Sequence, residues 1–408
     1  MAPRRIRPED IALHLPDTGL VWLCTCSGES DLVRKGLETP AKSIEGLSFT
    51  GIFVPGLNRL GYVLAGGGRF VTFFMTPELA AAPDKVDFLP LCYRDIREYF
   101  RRRPPAAALF MVSPPDADGN CSFGPVVDFI ADIWAATPIK IAHINPRMPA
   151  TMGDPGIPFD KIDFYVEGEQ ELPESDPGSD ETSARIAGFA GEIIPEGATL
   201  QAGLGRVPEA VLRGLNGHRN LSIHSGLIGD SALTLLEAGA LAGGAPITAG
   251  VAIGTRKLYD AVGGEAFRFH PPSYTHDIRR LSAISRLVTI NSAIEVDLAG
   301  QAYAEATPKS FISGPGGASD FAAGARGLDG IRIVALPASA GKGTISRIVA
   351  PGSATGPVSL GRFDVDFVIT EYGAADLRMK SHAQRAEALI AIAAPEHQSS
   401  LETARSGK

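Results

Sequence analysis

Short apolar runs and helix-like stretches alternate along almost the whole chain, and this alternation narrows the possible folds more than any other feature. Residues 20–24, 70–74, 108–112, 139–144 and 164–166 read as buried strands, each a brief apolar run. Residues 90–100 and 128–136 read as helices between them. A strand that is apolar throughout needs cover on both faces, and intervening helices supply it. The pattern therefore predicts an α/β fold with a mostly parallel sheet. The segment 172–183 is polar, acidic and rich in helix and strand breakers, so it is expected to be a linker. A helix over 184–194 is expected next, capped by Thr182 or Ser183. The alternation then restarts through 199–202, 208–215, 221–223, 232–238, 247–252, 287–294, 331–336 and 367–370, and closes on a helix at 384–392. Two α/β domains are expected, 1–183 and 184–408, with no identity repeat between them.

A chain of 408 residues, 44% of them hydrophobic, has material for two large cores. A net charge of −8 gives no nucleic-acid footprint. Arg101-Arg102-Arg103 is the one basic run that stands out, and it reads as a solvated helix end, where cations are favoured. Cys24, Cys26, Cys92 and Cys121 are too few and too scattered for a disulfide framework. Cys24 and Cys26 have no matching second pair, so no zinc site is expected and buried free thiols are. The start, Met1-Ala2-Pro3-Arg4-Arg5-Ile6-Arg7, is basic and lacks the apolar run of a signal peptide. No stretch is long and apolar enough to span a membrane. The expected setting is a reducing cytoplasm.

The chemistry-bearing residues concentrate in the second half. The run Thr289-Ile290-Asn291-Ser292-Ala293-Ile294-Glu295-Val296-Asp297 leads from an apolar strand into paired carboxylates. About a dozen residues later comes Ser313-Gly314-Pro315-Gly316-Gly317-Ala318-Ser319-Asp320-Phe321. Glycines let backbone N–H groups crowd around one point, which suits an anion or a thioester oxygen, although a tight surface turn has the same composition.

These stretches resemble the acetyl-CoA hydrolase/transferase family, the single-chain class I CoA-transferases that include acetate, butyrate and 4-hydroxybutyrate CoA-transferases. Ser113-Pro114-Pro115-Asp116, the run from Gln201-Ala202-Gly203-Leu204-Gly205 to Pro208-Glu209, Gly343-Thr344-Ile345-Ser346-Arg347 and Thr370-Glu371-Tyr372-Gly373 extend the resemblance, in order, over roughly residues 20 to 395. It implies two α/β domains of class I CoA-transferase type with the active site in the cleft between them. It also implies acyl-CoA as substrate, a small carboxylate as possible acceptor, no permanently bound cofactor and no metal, and a homodimer or larger homo-oligomer.

The resembled enzymes use a glutamate carboxylate as nucleophile, through an acyl-glutamyl anhydride and then a glutamyl-CoA thioester. Their motif runs His-Ser-Glu-Met, two further residues, then Asp. This chain reads His224-Ser225-Gly226-Leu227-Ile228-Gly229-Asp230, with Gly226 in the glutamate's place. Nearby, His276 in Tyr274-Thr275-His276-Asp277 stands where the family has an asparagine. His276 reads either as a surface histidine or as a general base beside the space that Gly226 leaves open, with His224 as the alternative base. Gly316 and Gly317 are expected to supply oxyanion-binding N–H groups. Gln201, Gly203, Gly205, Gly226, Gly314, Lys342 and Arg347 are expected along the CoA ester, the two cations against its phosphates. The expectations are thus CoA transfer or acyl-CoA hydrolysis with altered chemistry, or else a non-covalent hydrolase of a thioester or C–C bond of a CoA ester with His276 as base, or a CoA-ester-binding subunit without activity.

Overall fold

The computed structural model describes residues 2–327 and 329–406. Its contacts divide the chain into two compact units. One is Met1–Ser175 with Thr248–Thr275, and the other is Asp176–Ile247 with His276–Lys408. Against a single cut at residue 183, Asp176–Ser183 group with the second unit and Thr248–Thr275 with the N-terminal unit.

The N-terminal unit is built on strands β1 (Arg4–Arg5), β2 (Gly19–Trp22), β3 (Leu47–Thr50), β4 (Arg69–Thr72), β5 (Val86–Phe88), β6 (Ala107–Val112), β7 (Ile139–Ile144) and β8 (Phe164–Glu167). They pair in the order β1-β8-β7-β6-β2-β3-β4-β5, parallel throughout. All six residues of β6 are buried, as a central parallel strand covered on both faces requires. Alternate side chains of β2 serve opposite faces. Val21 and Leu23 join a core with Val33, Leu37, Phe49 and Phe70, whereas Trp22 packs edge-on against Phe100 and Phe129. The covering helices include α1 (Asp31–Glu38), capped by the Ser30 side chain, then α2 (Gly61–Ala65), α3 (Tyr93–Arg102) and α4 (Asp128–Ile133). Successive strands step from β2 to β5 on one side and from β6 to β8 on the other, so the chain order reverses between β2 and β6.

In the second unit, β9 (Thr199–Ala202), β10 (Ser222–His224), β11 (Leu287–Asn291), β12 (Ile331–Ala335), β13 (Phe367–Thr370) and β14 (Gly373–Asp376) run in the order β10-β9-β11-β12-β13-β14. Only the last pair is antiparallel. Helices α5 (Glu181–Ile193), α6 (Arg206–Gly214), α7 (Asp230–Glu237), α8 (Ile278–Ala283), α9 (Ala318–Gly324), α10 (His382–Ala391) and α11 (Pro395–Ser406) accompany it. Val296, Val334, Leu336, Ile348, Val368 and Leu389 form one core there.

Several boundaries differ from the sequence expectation for identifiable reasons. Helix α5 begins before 184 because Asp180, and neither Thr182 nor Ser183, is the cap. Its carboxylate accepts the Ser183 N–H at 2.7 Å and pairs with Arg206. The strand expected over 247–252 breaks at Gly250, whose carbonyl accepts the N–H groups of Val127 and Asp128. The strand expected over 287–294 stops at Asn291, and Glu295–Asp297 starts a separate small sheet. The expected linker is partly tied down: the Tyr259 hydroxyl donates to the Pro173 carbonyl and the Glu174 carboxylate accepts the Arg256 N–H. Arg101 and Arg102 end α3 paired with Glu98. All four cysteines are free thiols, and Cys24, Cys26 and Cys121 are buried.

Candidate active site

Parallel α/β sheets gather ligand-binding groups at the carboxyl ends of their strands. In the second unit those ends carry Gln201 on β9, His224 on β10 and Asn291 on β11. Gln201 and Asn291 exchange amide hydrogen bonds of 3.4 and 3.3 Å. A Cβ on Gly203 would stand 3.1 Å from Asn291 Oδ1. Ser225 fastens β10 to β9, donating to the Ala202 carbonyl at 3.1 Å and accepting the Ala202 N–H at 3.4 Å. Just beyond, the buried Glu209 on α6 accepts the Ser231 N–H. A Cβ on Gly229 would collide with that carboxylate, so the glycine lets α6 and α7 meet.

His276 closes this arrangement. The surface reading is overturned, since the residue is only 6% exposed. Its ring meets Phe321 edge-on with centroids 4.7 Å apart, and His224 flanks the same phenyl ring at 6.5 Å. A Cβ built on Gly226 would lie 2.7 Å from His276 Cε1 and 2.9 Å from Nε2, and one on Gly317 would run into the same nitrogen. The imidazole thus lies flush against two glycines that the sequence places 91 residues apart. Burial, followed by the influence of His224, pushes the His276 pKa down to about 3. The ring is therefore uncharged near neutrality, a fixed donor and acceptor. Histidine bases work best with a pKa near the working pH, so this environment favours hydrogen bonding over proton abstraction. Gly226 does not adopt the left-handed conformation, whereas Gly205 (φ 122°), which precedes α6, and Gly316 (φ 58°) do. Replacing Gly317 by Ala is expected to force His276 aside and cost about 1–3 kcal/mol, read from the urea midpoint.

A model of the acetyl-CoA hydrolase/transferase C-terminal domain matches residues 254–405. The 4-hydroxybutyrate coenzyme A transferase of Clostridium kluyveri is 36% identical over 328 residues, covering 78% of this chain and 76% of that protein. The chain belongs to the acetyl-CoA hydrolase/transferase family. It is an enzyme of acyl-CoA processing. Among solved structures, a 4-hydroxybutyrate CoA-transferase from Porphyromonas gingivalis superposes with a TM-score of 0.82 at 29% identity, over 99% of this chain and 97% of the other. RipA from Yersinia pestis shares the fold, with a TM-score of 0.90 at 23% identity over the same shares.

The remaining residues expected in this family member are divided. Gln201, Gly203, His224, Gly226, His276 and Gly317 are joined through the contacts above, and Gly314 and Gly316 belong to the loop that enters α9. Lys342 and Arg347 belong to a different element, the hairpin of Ser339–Ala340 and Ile345–Ser346 and the residue that follows it. Lys342 is exposed at the turn with φ 58°. Arg347 is half-buried, its pKa lowered by burial and supported by Glu295 and Glu371. Glu371 accepts the Ala338 N–H at 2.8 Å and Glu295 the Thr355 N–H at 2.7 Å, so both carboxylates hold loops. Asn291, Ser225 and Phe321 were missed as site residues. A polar residue ending an otherwise apolar strand was the available signal for Asn291.

Proposed function

We propose that this enzyme attacks its acyl-CoA thioester without a covalent glutamyl intermediate, with water as the first nucleophile and a small carboxylate as the possible alternative acceptor. The contact between His276 and Gly226 carries this reading. The imidazole fills the space into which a side chain at position 226 would grow, in the frame where relatives resembling this chain have glutamate. His276, uncharged, hydrogen-bonds the attacking water or the thioester carbonyl. His224 is the proton acceptor, and backbone N–H groups at Gly316 or Gly317 receive the developing oxyanion. The neighbouring Gln201, Gly203, Gly205 and Gly314 line the CoA ester, with Lys342 and Arg347 towards its phosphates. The catalytic unit is Asp176–Ile247 with His276–Lys408, and the enzyme is a cytoplasmic homodimer. No helix among the described residues is long and apolar enough to cross a membrane.

The test is turnover of an acyl-CoA panel with and without acetate, following free thiol and CoA-ester products by mass spectrometry. Thiol release without acceptor and no enzyme-bound CoA are expected; a borohydride-sensitive enzyme–CoA thioester would overturn the reading. The pH profile then separates the two histidines. A rate governed by His276 alone stays level as pH falls through the usual histidine range and drops only towards about 3. A rate that already declines well above about 3 places the proton transfer on a group other than His276, and its loss in His224→Ala assigns it to His224.

A further inference from the structure

The turn that carries Gly226 is fastened at both ends to the segment running from β9 into α6. At its start Ser225 exchanges hydrogen bonds with Ala202, where β9 ends. At its finish stands Glu209, near the start of α6. The residue before α7 is Gly229, which has no side chain with which to cap that helix. The Glu209 carboxylate does so from α6 instead, accepting the Ser231 N–H at 3.2 Å. This is one of the first N–H groups of α7, which have no partner inside the helix. The Ser231 hydroxyl is buried and meets no partner, so the backbone N–H is the group held. Gly229 has φ −119°, a backbone that any residue adopts, so the carboxylate alone keeps a side chain out of that position. Glu209 is buried. Arg213, one turn further along α6, reaches it only at 3.9 Å and pairs with Asp176 as well. Burial raises the Glu209 pKa, Ser231 and Arg213 oppose the rise, and Asp230 adds to it. A carboxylate so weakly compensated is costly to bury, and α6 could pack on α7 through an apolar side chain without it.

We infer that Glu209 is a positioning residue for acyl-CoA turnover: by holding the Gly229–Ser231 end of the turn against α6, it sets how closely Gly226 faces His276. It acts through the turn and not on the substrate. The inference rests on the reading that the thioester is attacked beside His276. With one end fixed, the turn could pivot about Ser225. With both fixed, Gly226 is held between them, and only Leu227 and Ile228 separate it from Gly229. The contact it serves has little tolerance, since the Cβ position of Gly226 is already 2.7 Å from the His276 ring. A reacting group displaced by about 1 Å can lose on the order of 100-fold in rate, even when the change that displaces it lies away from the chemistry.

The test compares the parent with Glu209→Gln, Glu209→Ala and Gly229→Ala. The measurements are kcat and KM on the best acyl-CoA of the panel, urea midpoints, and nuclear magnetic resonance spectra of protein carrying ring-nitrogen-labelled histidine. Glutamine keeps the shape and the acceptor, so Glu209→Gln should stay close to the parent. Glu209→Ala should lower kcat roughly 10- to 100-fold with KM nearly unchanged. Gly229→Ala should do the same with Glu209 in place, because its methyl group displaces the carboxylate; it keeps the test open if Glu209→Ala does not fold. The two changes act on one contact, so the double variant should lose less than the product of the single losses. The His276 ring signals, assigned by their loss in His276→Asn, should shift in both alanine variants and hold still in Glu209→Gln. A merely structural role would lower the urea midpoints and leave kcat of the folded protein at the parent value, and that result overturns the inference. Unmoved His276 signals overturn it whatever the turnover. So does a Glu209→Gln as slow as Glu209→Ala, since the charge and not the accepted hydrogen bond would then act. The reading beneath it fails separately, through a borohydride-sensitive enzyme–CoA thioester in the parent.

Discussion

Gly226→Glu alone is expected to destabilise the protein and yield no covalent CoA adduct, whereas Gly226→Glu combined with His276→Asn is expected to recover stability and form one. The backbone is not the obstacle, because Gly226 does not occupy the left-handed region. The obstacle is the His276 ring, 2.7 Å from the position of the new Cβ, with Phe321 Cε2 at 3.6 Å behind it. Forcing extra atoms into such a contact costs about 1–3 kcal/mol, and a buried carboxylate without partners adds to that. Asparagine is shorter than histidine and offers an amide N–H to the new carboxylate, so the paired change removes the collision and supplies a donor. The measurements are urea midpoints and intact-mass detection of enzyme-bound CoA after incubation with acyl-CoA. A stable single variant carrying the adduct would show that His276 does not block the position. A double variant that is stable yet never acquires CoA would show that the pairing of Gly226 with His276 is not what separates this enzyme from a covalent transferase.

The strands were legible because parallel sheets leave a plain mark. β6 is apolar and buried along its whole length, and β11 is buried throughout, with Thr289 the one polar residue before Asn291. Helix starts were less legible. Asp180 outcompetes the neighbouring Thr182 and Ser183 as a cap through an ion pair with Arg206, a residue 26 positions away. The site was legible as a set of motifs but not as a geometry. Gly226, His276 and Gly317 each stood out in their own segment, yet nothing in the sequence says that one imidazole touches both glycines. The same limit applies to charge. His276 in sequence has the ordinary pKa of an accessible histidine, and only the three-dimensional packing of Phe321 and the two glycine segments removes it from water.

Burial of His276 should also make the fold sensitive to acid in a way that His276→Asn removes. Unfolded, the imidazole takes up a proton near its ordinary value of 6.5; folded, it resists until about 3. Between those values the unfolded chain binds the extra proton, so stability is complete above about 6.5 and falls as pH is lowered through the window. At about 1.4 kcal/mol per pH unit the ceiling is roughly 5 kcal/mol, and a few kcal/mol is the expected size once the fold relaxes around the charge. Asp128 acts with the opposite sign. Burial raises its folded pKa to about 7, above the ordinary 3.8, so its contribution is present at low pH and lost as pH rises through 7. The sum in the parent alone is therefore ambiguous, but Asp128 is common to both proteins and cancels in the difference between parent and His276→Asn. Urea unfolding of the two at intervals from about pH 4.5 to 8 isolates the histidine. The parent should lose ground to the variant steadily as pH falls below about 6.5 and run parallel to it above. A difference that stays constant across the whole range would mean that His276 titrates as an ordinary histidine. The ring would then be open to water and protons, and its place as the uncharged group beside Gly226 and Gly317 could not stand.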